Sequence, residues 1–260
     1  MDKVAIIGTS KPITDKYIEG IVQDVREVFP SYKKDDVLVC NDIYESLREA
    51  RNSRKDEVVK DLLTSSMHEL VSRGAKYGLI PHCTLCGKYA EHISKETGVK
   101  VITQTASVIK ALKERDINEI VVFGTFDSVL QARKELSANE INGIEPRAGE
   151  LCLMNDIIYD QLASGIICER SMHMLAGLAY TYRRSGLPIG LFCTDLIKLI
   201  NPSNFHMAKK PFLFDAATCN WMHAASLITS SATEEELETL EINNDVLVKR
   251  LEQPEIRKLA

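Results

Sequence analysis

Cys83 and Cys193 are the residues of this chain whose type and placement carry the most chemistry. Each is followed by a threonine, and each lies a similar distance downstream of an apolar run ending in Gly-Thr. The first run is Val4-Ala5-Ile6-Ile7-Gly8-Thr9, with Leu79-Ile80-Pro81-His82-Cys83-Thr84 further on. The second is Ile120-Val121-Val122-Phe123-Gly124-Thr125, with Ile189-Gly190-Leu191-Phe192-Cys193-Thr194 further on. Two thiols facing one another across a shared cleft can take a proton from one face of a carbon acid and return one to the other face. A thiol of reference pKa about 8.5 is mostly protonated at neutral pH, so such a pair needs one member as thiolate and the other as thiol. Cysteines that serve only as small core residues have no reason to recur at matched places.

The elements that must position these thiols read as βα units. Short apolar runs at Lys3–Gly8, Asp36–Asn41, Tyr77–His82, Lys100–Thr103, Glu119–Gly124, Leu187–Cys193 and Pro211–Asp215 are continuous, as strands covered on both faces are. Amphipathic stretches lie between them. Over Asp56–Arg73 the apolar positions Val58, Val59, Leu62, Leu63, Met67, Leu70 and Val71 form one helical stripe, and 104–115, 128–138, 155–163 and 170–185 behave similarly. Gly74, Gly98, Gly165 and Gly186 fall where helices should end, and Pro12 where a helix should open.

The implied class is α/β: two similar domains with mainly parallel sheets flanked by helices, pseudo-twofold related, with the active site in the cleft between them. The expected division is 1–100 plus 209–230 for the first domain, 101–208 for the second, and 231–260 for a C-terminal helical extension. The polar stretch Asn201–Lys210 reads as a crossing loop. Thr233-Glu234-Glu235-Glu236 reads as a capping box opening the extension, which either packs on the body or serves between subunits.

Ligands in open α/β sheets bind beyond the carboxyl ends of strands. That places Gly8-Thr9-Ser10, Cys83-Thr84, Gly124-Thr125 and Cys193-Thr194 at the site, where backbone N–H groups and hydroxyls suit carboxylates. Cys83 and Cys86 also form a Cys-x-x-Cys, which admits redox and zinc readings. The redox reading lacks a thioredoxin-type unit and the zinc reading lacks a second close pair, so no metal is expected.

Composition narrows the partners. In 260 residues, 45% are apolar and 27% charged, as in ordinary globular proteins. A net charge of −5 with no basic stripe argues against nucleic acid, and no apolar run approaches the roughly 20 residues that cross a bilayer. Met1-Asp2-Lys3 leads into a strand with no leader pattern, and seven cysteines are an odd count in a chain too large to need staples. Reduced thiols in a cytoplasm are therefore expected.

These motifs resemble the cofactor-independent aspartate/glutamate racemase superfamily over about residues 3–228. Phe192-Cys193-Thr194-Asp195 is similar to the family's Gly-Cys-Thr-Glu, and Gly124-Thr125-Phe126-Asp127-Ser128 to its Gly/Ala-Thr-x-Gly-Thr loop. Ile158-Tyr159-Asp160 and Phe214-Asp215-Ala216 match further landmarks, and Arg48 falls where aspartate racemases keep a carboxylate-binding arginine. A solvated basic face with Arg51 and Arg54 is the rival reading of Arg48. The family's Cys-Asn-Thr-Ala-His becomes Cys83-Thr84-Leu85-Cys86-Gly87 here. Ala163 stands where aspartate racemases carry lysine, Asp195 replaces glutamate, and Asp127 replaces a loop glycine.

The resemblance implies an amino-acid racemase of aspartate/glutamate-like substrates, with Cys83 and Cys193 as its two acid/base groups and no cofactor, pyridoxal phosphate included. Ser10, Arg48, Thr84, Thr125, Ser128, Thr194 and Asp195 would bind substrate. A homodimer is expected, with a small amino acid or dicarboxylate as ligand. The departures leave two alternatives: a racemase-like binding protein that has lost turnover, and a related isomerase of the maleate or hydantoin type.

Overall fold

The computed structural model describes residues 2–198 and 213–231, and within them the chain forms two compact units. The crossing loop at 201–210 and the extension that begins with the Thr233 capping box lie outside the described residues.

The first unit comprises 2–81, 88–103 and 220–231. Its sheet has the order β2 (Leu38–Cys40), β1 (Lys3–Ile7), β3 (Ala75–Leu79), β4 (Lys100–Val101), with every pairing parallel. The second unit comprises 82–87, 104–198 and 213–219. Its sheet has the order β6 (Asn142–Ile144), β5 (Glu119–Phe123), β7 (Ile189–Leu191), β8 (Leu213–Asp215), again all parallel. The two orders are the same once the second set is renumbered, so β1 corresponds to β5 and β3 to β7. The α/β class with paired parallel sheets stands as expected.

Central strands are apolar on both faces because helices cover both. Val4, Ala5, Ile6 and Ile7 in β1, and Ile120, Val121 and Val122 in β5, have no exposed surface. The helices of the first unit are α1 (Lys11–Arg26), α2 (Tyr44–Asn52), α3 (Asp56–Ser72), most of α4 (Cys83–Thr97) and most of α9 (Ala216–Ser230). Those of the second are α5 (Gln104–Lys113), α6 (Phe126–Ser137), α7 (Ala148–Asp156) and α8 (Glu169–Arg184), with the first turn of α4.

Pro12 sits in the first turn of α1, where a missing N–H costs nothing. In α3 the buried face is Val59, Leu63, Ser66, Met67 and Leu70, narrower than the apolar pattern suggested: Val58 is 44% exposed. It lies about 100° around the helix from Val59, off the face that meets the sheet. Trp221 of α9 packs edge-on against Tyr17 of α1, ring centres 5.5 Å apart, and Asn220 Nδ2 donates to the Ile102 carbonyl at 3.0 Å. That pair of contacts anchors α9 in the first unit.

Helices α2 and α4 fall outside the helical stretches read from the sequence, and two further elements differ from it. Strand β6 has only three residues with no apolar run, so it carried no signal; it is a partly exposed edge. The helix expected at 155–163 begins earlier, at Ala148, and widens into a π-helical turn over Ile157–Gln161. Glu150 fixes that earlier start by accepting from the Arg147 N–H at 2.9 Å.

The four glycines expected at helix ends, Gly74, Gly98, Gly165 and Gly186, all adopt positive φ. At Gly98 φ is +72° and no atom lies near a would-be Cβ, so alanine there is penalised by the backbone alone. Gly177, inside α8, is equally open but helical. Gly98→Ala is therefore expected to destabilise by about 1 kcal/mol and Gly177→Ala to stabilise by roughly 0.5–1 kcal/mol. Urea unfolding midpoints of the two variants should move in opposite directions; movement in the same direction contradicts one of these backbone assignments.

Candidate active site

Cys83 and Cys193 follow corresponding strands. Cys83 comes after β3 and opens α4; Cys193 comes after β7 and precedes a short 3-10 turn, Thr194–Lys198. Corresponding strand partners are also preserved, since Ile6 pairs with Leu79 and Phe123 with Leu191. Although β3 belongs to the first unit, His82–Gly87 belong to the second. There Cys83 joins the core with Val108, Ile109, Leu112, Val129 and Ala132, and Cys193 packs against that same cluster.

The start of α4 is held locally. The Leu85 N–H reaches Nδ1 of His82 at 3.4 Å and the Cys86 N–H donates to the His82 carbonyl at 2.9 Å. His82 thus supports the helix turn that carries Cys83. Thr9 Oγ1 donates to the Pro81 carbonyl at 3.0 Å, linking the end of β1 to the residue before that turn.

The environment of Cys83 is apolar, and the residue is only 4% exposed. Burial pushes its pKa far above the ordinary thiol range because the charged form loses its hydration. The Glu135 carboxylate pushes it the same way, and smaller upward contributions come from Cys86 and Cys193; a hydrogen bond with Thr105 opposes the shift. A thiolate at Cys193 would thus add to the resistance of Cys83 to ionisation. Cys193 itself is half-buried.

Among the other cysteines Cys219 behaves alike and Cys168 contrasts. Burial pushes Cys219 up to about 12, with Asp215 adding to the effect. Cys168, the N-cap residue of α8, moves downward because the Ser171 backbone and hydroxyl and the Arg170 backbone at the helix start favour its thiolate.

Thr125 and Ser128 are brought together, but by capping. Thr125 is the N-cap of α6; its Oγ1 accepts from the Ser128 N–H at 3.3 Å and donates to Ser128 Oγ at 3.0 Å. Ser128 Oγ donates in turn to the Thr125 carbonyl at 3.0 Å. Both hydroxyl protons are thus engaged within the turn. Gly124 is needed beside them: a Cβ there would lie 2.3 Å from Ser128 Oγ. Thr84, Thr194 and Asp195 are half-buried in the turns that carry the cysteines.

Ser10 and Arg48 belong to the first unit. Ser10 is the N-cap residue of α1, and its carbonyl accepts from the Thr14 N–H and the Thr14 hydroxyl. Arg48 is exposed on α2 and pairs with Glu45 at 2.5 Å. Asp215, read in the sequence only as a landmark, caps α9 through the Thr218 N–H at 3.0 Å and the Thr218 hydroxyl at 2.6 Å.

Sequence reading missed Thr105 and Glu135 as neighbours of Cys83. Thr105 could have been suspected as a polar residue in the first turn of a helix following a strand. Glu135 carries no such signal, because it lies one turn from the end of an ordinary amphipathic helix. Among the described residues no group of three or more metal-capable side chains is present, and no helix is long and apolar enough to cross a membrane.

Neither a protein-family profile nor a curated protein matches the chain. Solved structures do. A candidate Asp/Glu racemase from Yersinia pestis superposes with a TM-score of 0.77 at 21% identity, over 87% of this chain and 99% of that one. An aspartate racemase homologue from Pyrococcus horikoshii OT3 gives 0.69 at 20% identity, over 89% and 100%. The aspartate racemase of Picrophilus torridus gives 0.62 at 15% identity, over 93% and 100%. At these identities the likeness is one of architecture, and it spans nearly the whole chain: the protein has the fold of the aspartate/glutamate racemase structures.

Proposed function

We propose that this protein is a member of the cofactor-independent aspartate/glutamate racemase superfamily that moves a proton at the α-carbon of a small amino acid or dicarboxylate, using Cys83 and Cys193. The observation that carries the reading is the placement of two thiols after corresponding strands and packed on one core. Neither thiol alone would suggest it.

In the proposed reaction one sulfur takes the α-proton as thiolate while the other, as thiol, delivers a proton to the opposite face. The carbanion between these steps needs hydrogen bonds to the substrate carboxylate that strengthen as charge develops. Thr84, Thr194 and the helix-start N–H groups beside each cysteine are assigned this role. Thr125 and Ser128 contribute by building the α6 start rather than by donating their own hydroxyl protons, which are already engaged. Asp195 is assigned to the substrate amine. Ser10 and Arg48 are assigned to the distal carboxylate; the exposed Arg48–Glu45 pair is worth only about 0.5 kcal/mol, so breaking it is a small cost. A homodimer in the cytoplasm is part of the same proposal.

A second reading is favoured by the burial of Cys83: a thiol so resistant to ionisation fits a protein that binds the ligand without turning it over. Isotope exchange separates the two. Aspartate, glutamate and simple dicarboxylates incubated with the protein in heavy water should lose their α-hydrogen signal by proton NMR. Cys83→Ala and Cys193→Ala should each lower racemisation by at least about a hundredfold. Saturable binding with no exchange of any ligand overturns the enzyme reading in favour of the binding protein.

The pH profile tests the roles. The productive pair has lost one proton and kept one. kcat/KM should rise as the first proton leaves, equally in both directions because a racemisation has a unit equilibrium constant. Loss of the second proton normally causes an alkaline decline. Because burial holds Cys83 protonated far above the thiol reference of about 8.5, no decline should appear near that pH. A falling limb centred between about pH 8 and 9 would contradict the assignment of Cys83 as the retained thiol.

A further inference from the structure

Gly87 lies one turn beyond Cys83 on the same face of α4. A Cβ at Gly87 would stand 2.8 Å from Glu135 Oε1, 2.8 Å from Gln131 Nε2 and 2.7 Å from Gln131 Cγ. The lack of a side chain at Gly87 thus admits two side chains of α6 against the face of α4 that carries the catalytic thiol. Gln131 Nε2 donates to Glu135 Oε1 at 2.9 Å and holds the carboxylate there. Glu135 also lines an open groove of about 700 Å³ with Lys110, Lys113 and Asn139. In that groove Lys110 pairs with Glu114, and Lys113 donates to Asn139 Oδ1 at 3.3 Å.

We infer that Glu135 is a positioning residue that reinforces the hold of burial on the Cys83 proton, so that Cys83 is the resting acid of the pair and Cys193 the resting base. The role rests on the two-thiol reading above. The physical reason is like-charge repulsion: a carboxylate near a buried sulfur disfavours the thiolate, and low solvent access around the sulfur weakens screening. The groups that bear on Cys83 from each surrounding element are Glu135 from α6, Cys86 from α4 itself, Cys193 from the turn after β7 and Thr105 from α5. Of these described groups, Thr105 favours the thiolate, through its hydrogen bond. Glu135 neither gives nor takes the substrate proton; it strengthens the asymmetry that burial sets up between the two sulfurs. Half-buried at the edge of a groove, it keeps its own contact with water while its charge reaches the sulfur.

The experiment compares the full-length wild type with Glu135→Gln and Glu135→Asp. Alkylation of Cys83 by iodoacetamide is followed residue by residue by mass spectrometry between pH 7 and 9.5. Removing the charge with nearly unchanged shape should speed Cys83 alkylation at fixed pH by about threefold or more, equivalent to a thiol about half a unit more acidic. Aspartate keeps the charge and should leave the rate within about twofold of wild type. Equal acceleration in both variants would mean that loosened packing exposes the sulfur, and would overturn the inference; so would no acceleration in either. Alkylation needs no substrate. An unmoved Cys83 in a protein that exchanges deuterium defeats the role of Glu135 alone. An accelerated Cys83 in a protein that exchanges nothing preserves the control of the thiol by Glu135 and defeats the racemase reading.

Discussion

A thiol removed from water stays a thiol, and the chemistry available to the second unit follows from that constraint. Cys83 is sealed among side chains of α5 and α6, so forming its thiolate forfeits hydration with one hydrogen bond, from Thr105, as partial replacement. Cys193, half-buried after β7, carries no comparable seal. A symmetric pair of equally acidic thiols would spread its protons over several states at neutral pH. An asymmetric pair concentrates them in one state, with one sulfur reliably loaded, which is the condition a two-base proton transfer needs.

The repeated sheet order explains how the two sulfurs come to correspond. In each sheet the central strand, β1 or β5, ends in Gly-Thr, and the neighbouring strand, β3 or β7, leads to a cysteine. After each central strand the turn is closed by a polar contact that leaves no room for a side chain on glycine: Asn41 Oδ1 approaches Gly8, and Ser128 Oγ approaches Gly124. The two turns use different residues for the same job. The correspondence is therefore one of chain course and geometry, with side-chain chemistry free to diverge around it.

That distinction also sets what was legible in the sequence. Strand centres were visible because burial on both faces demands continuous apolar runs, and Gly74, Gly98, Gly165 and Gly186 marked helix ends because positive φ is costly for other residues. The cysteines were visible through repetition. Strand β6 was not, since three half-exposed residues leave no periodicity. The approach of Glu135 to Gly87 was not either, because it depends on how α6 packs against the start of α4, far away in sequence. Arg48 illustrates a different limit: its place was readable, but its partner Glu45 became apparent only with the side chains in view.

The departures from the racemase pattern at 84–87 acquire a physical meaning in this setting. Cys86 has no exposed surface and Leu85 only 6%, so two of the altered positions are core. Gly87 contributes by absence, opening space that Gln131 and Glu135 fill. Restoring a bulky side chain at Gly87 would have to displace both from α4, and with them the carboxylate that bears on Cys83. The substitutions at this helix start are thus coupled to α6, and a change at either partner alters the electrostatics of the sulfur without touching the residues assigned to substrate. On the proposed reading, tuning of the acid/base pair and recognition of the ligand would in this way be carried by separate side chains.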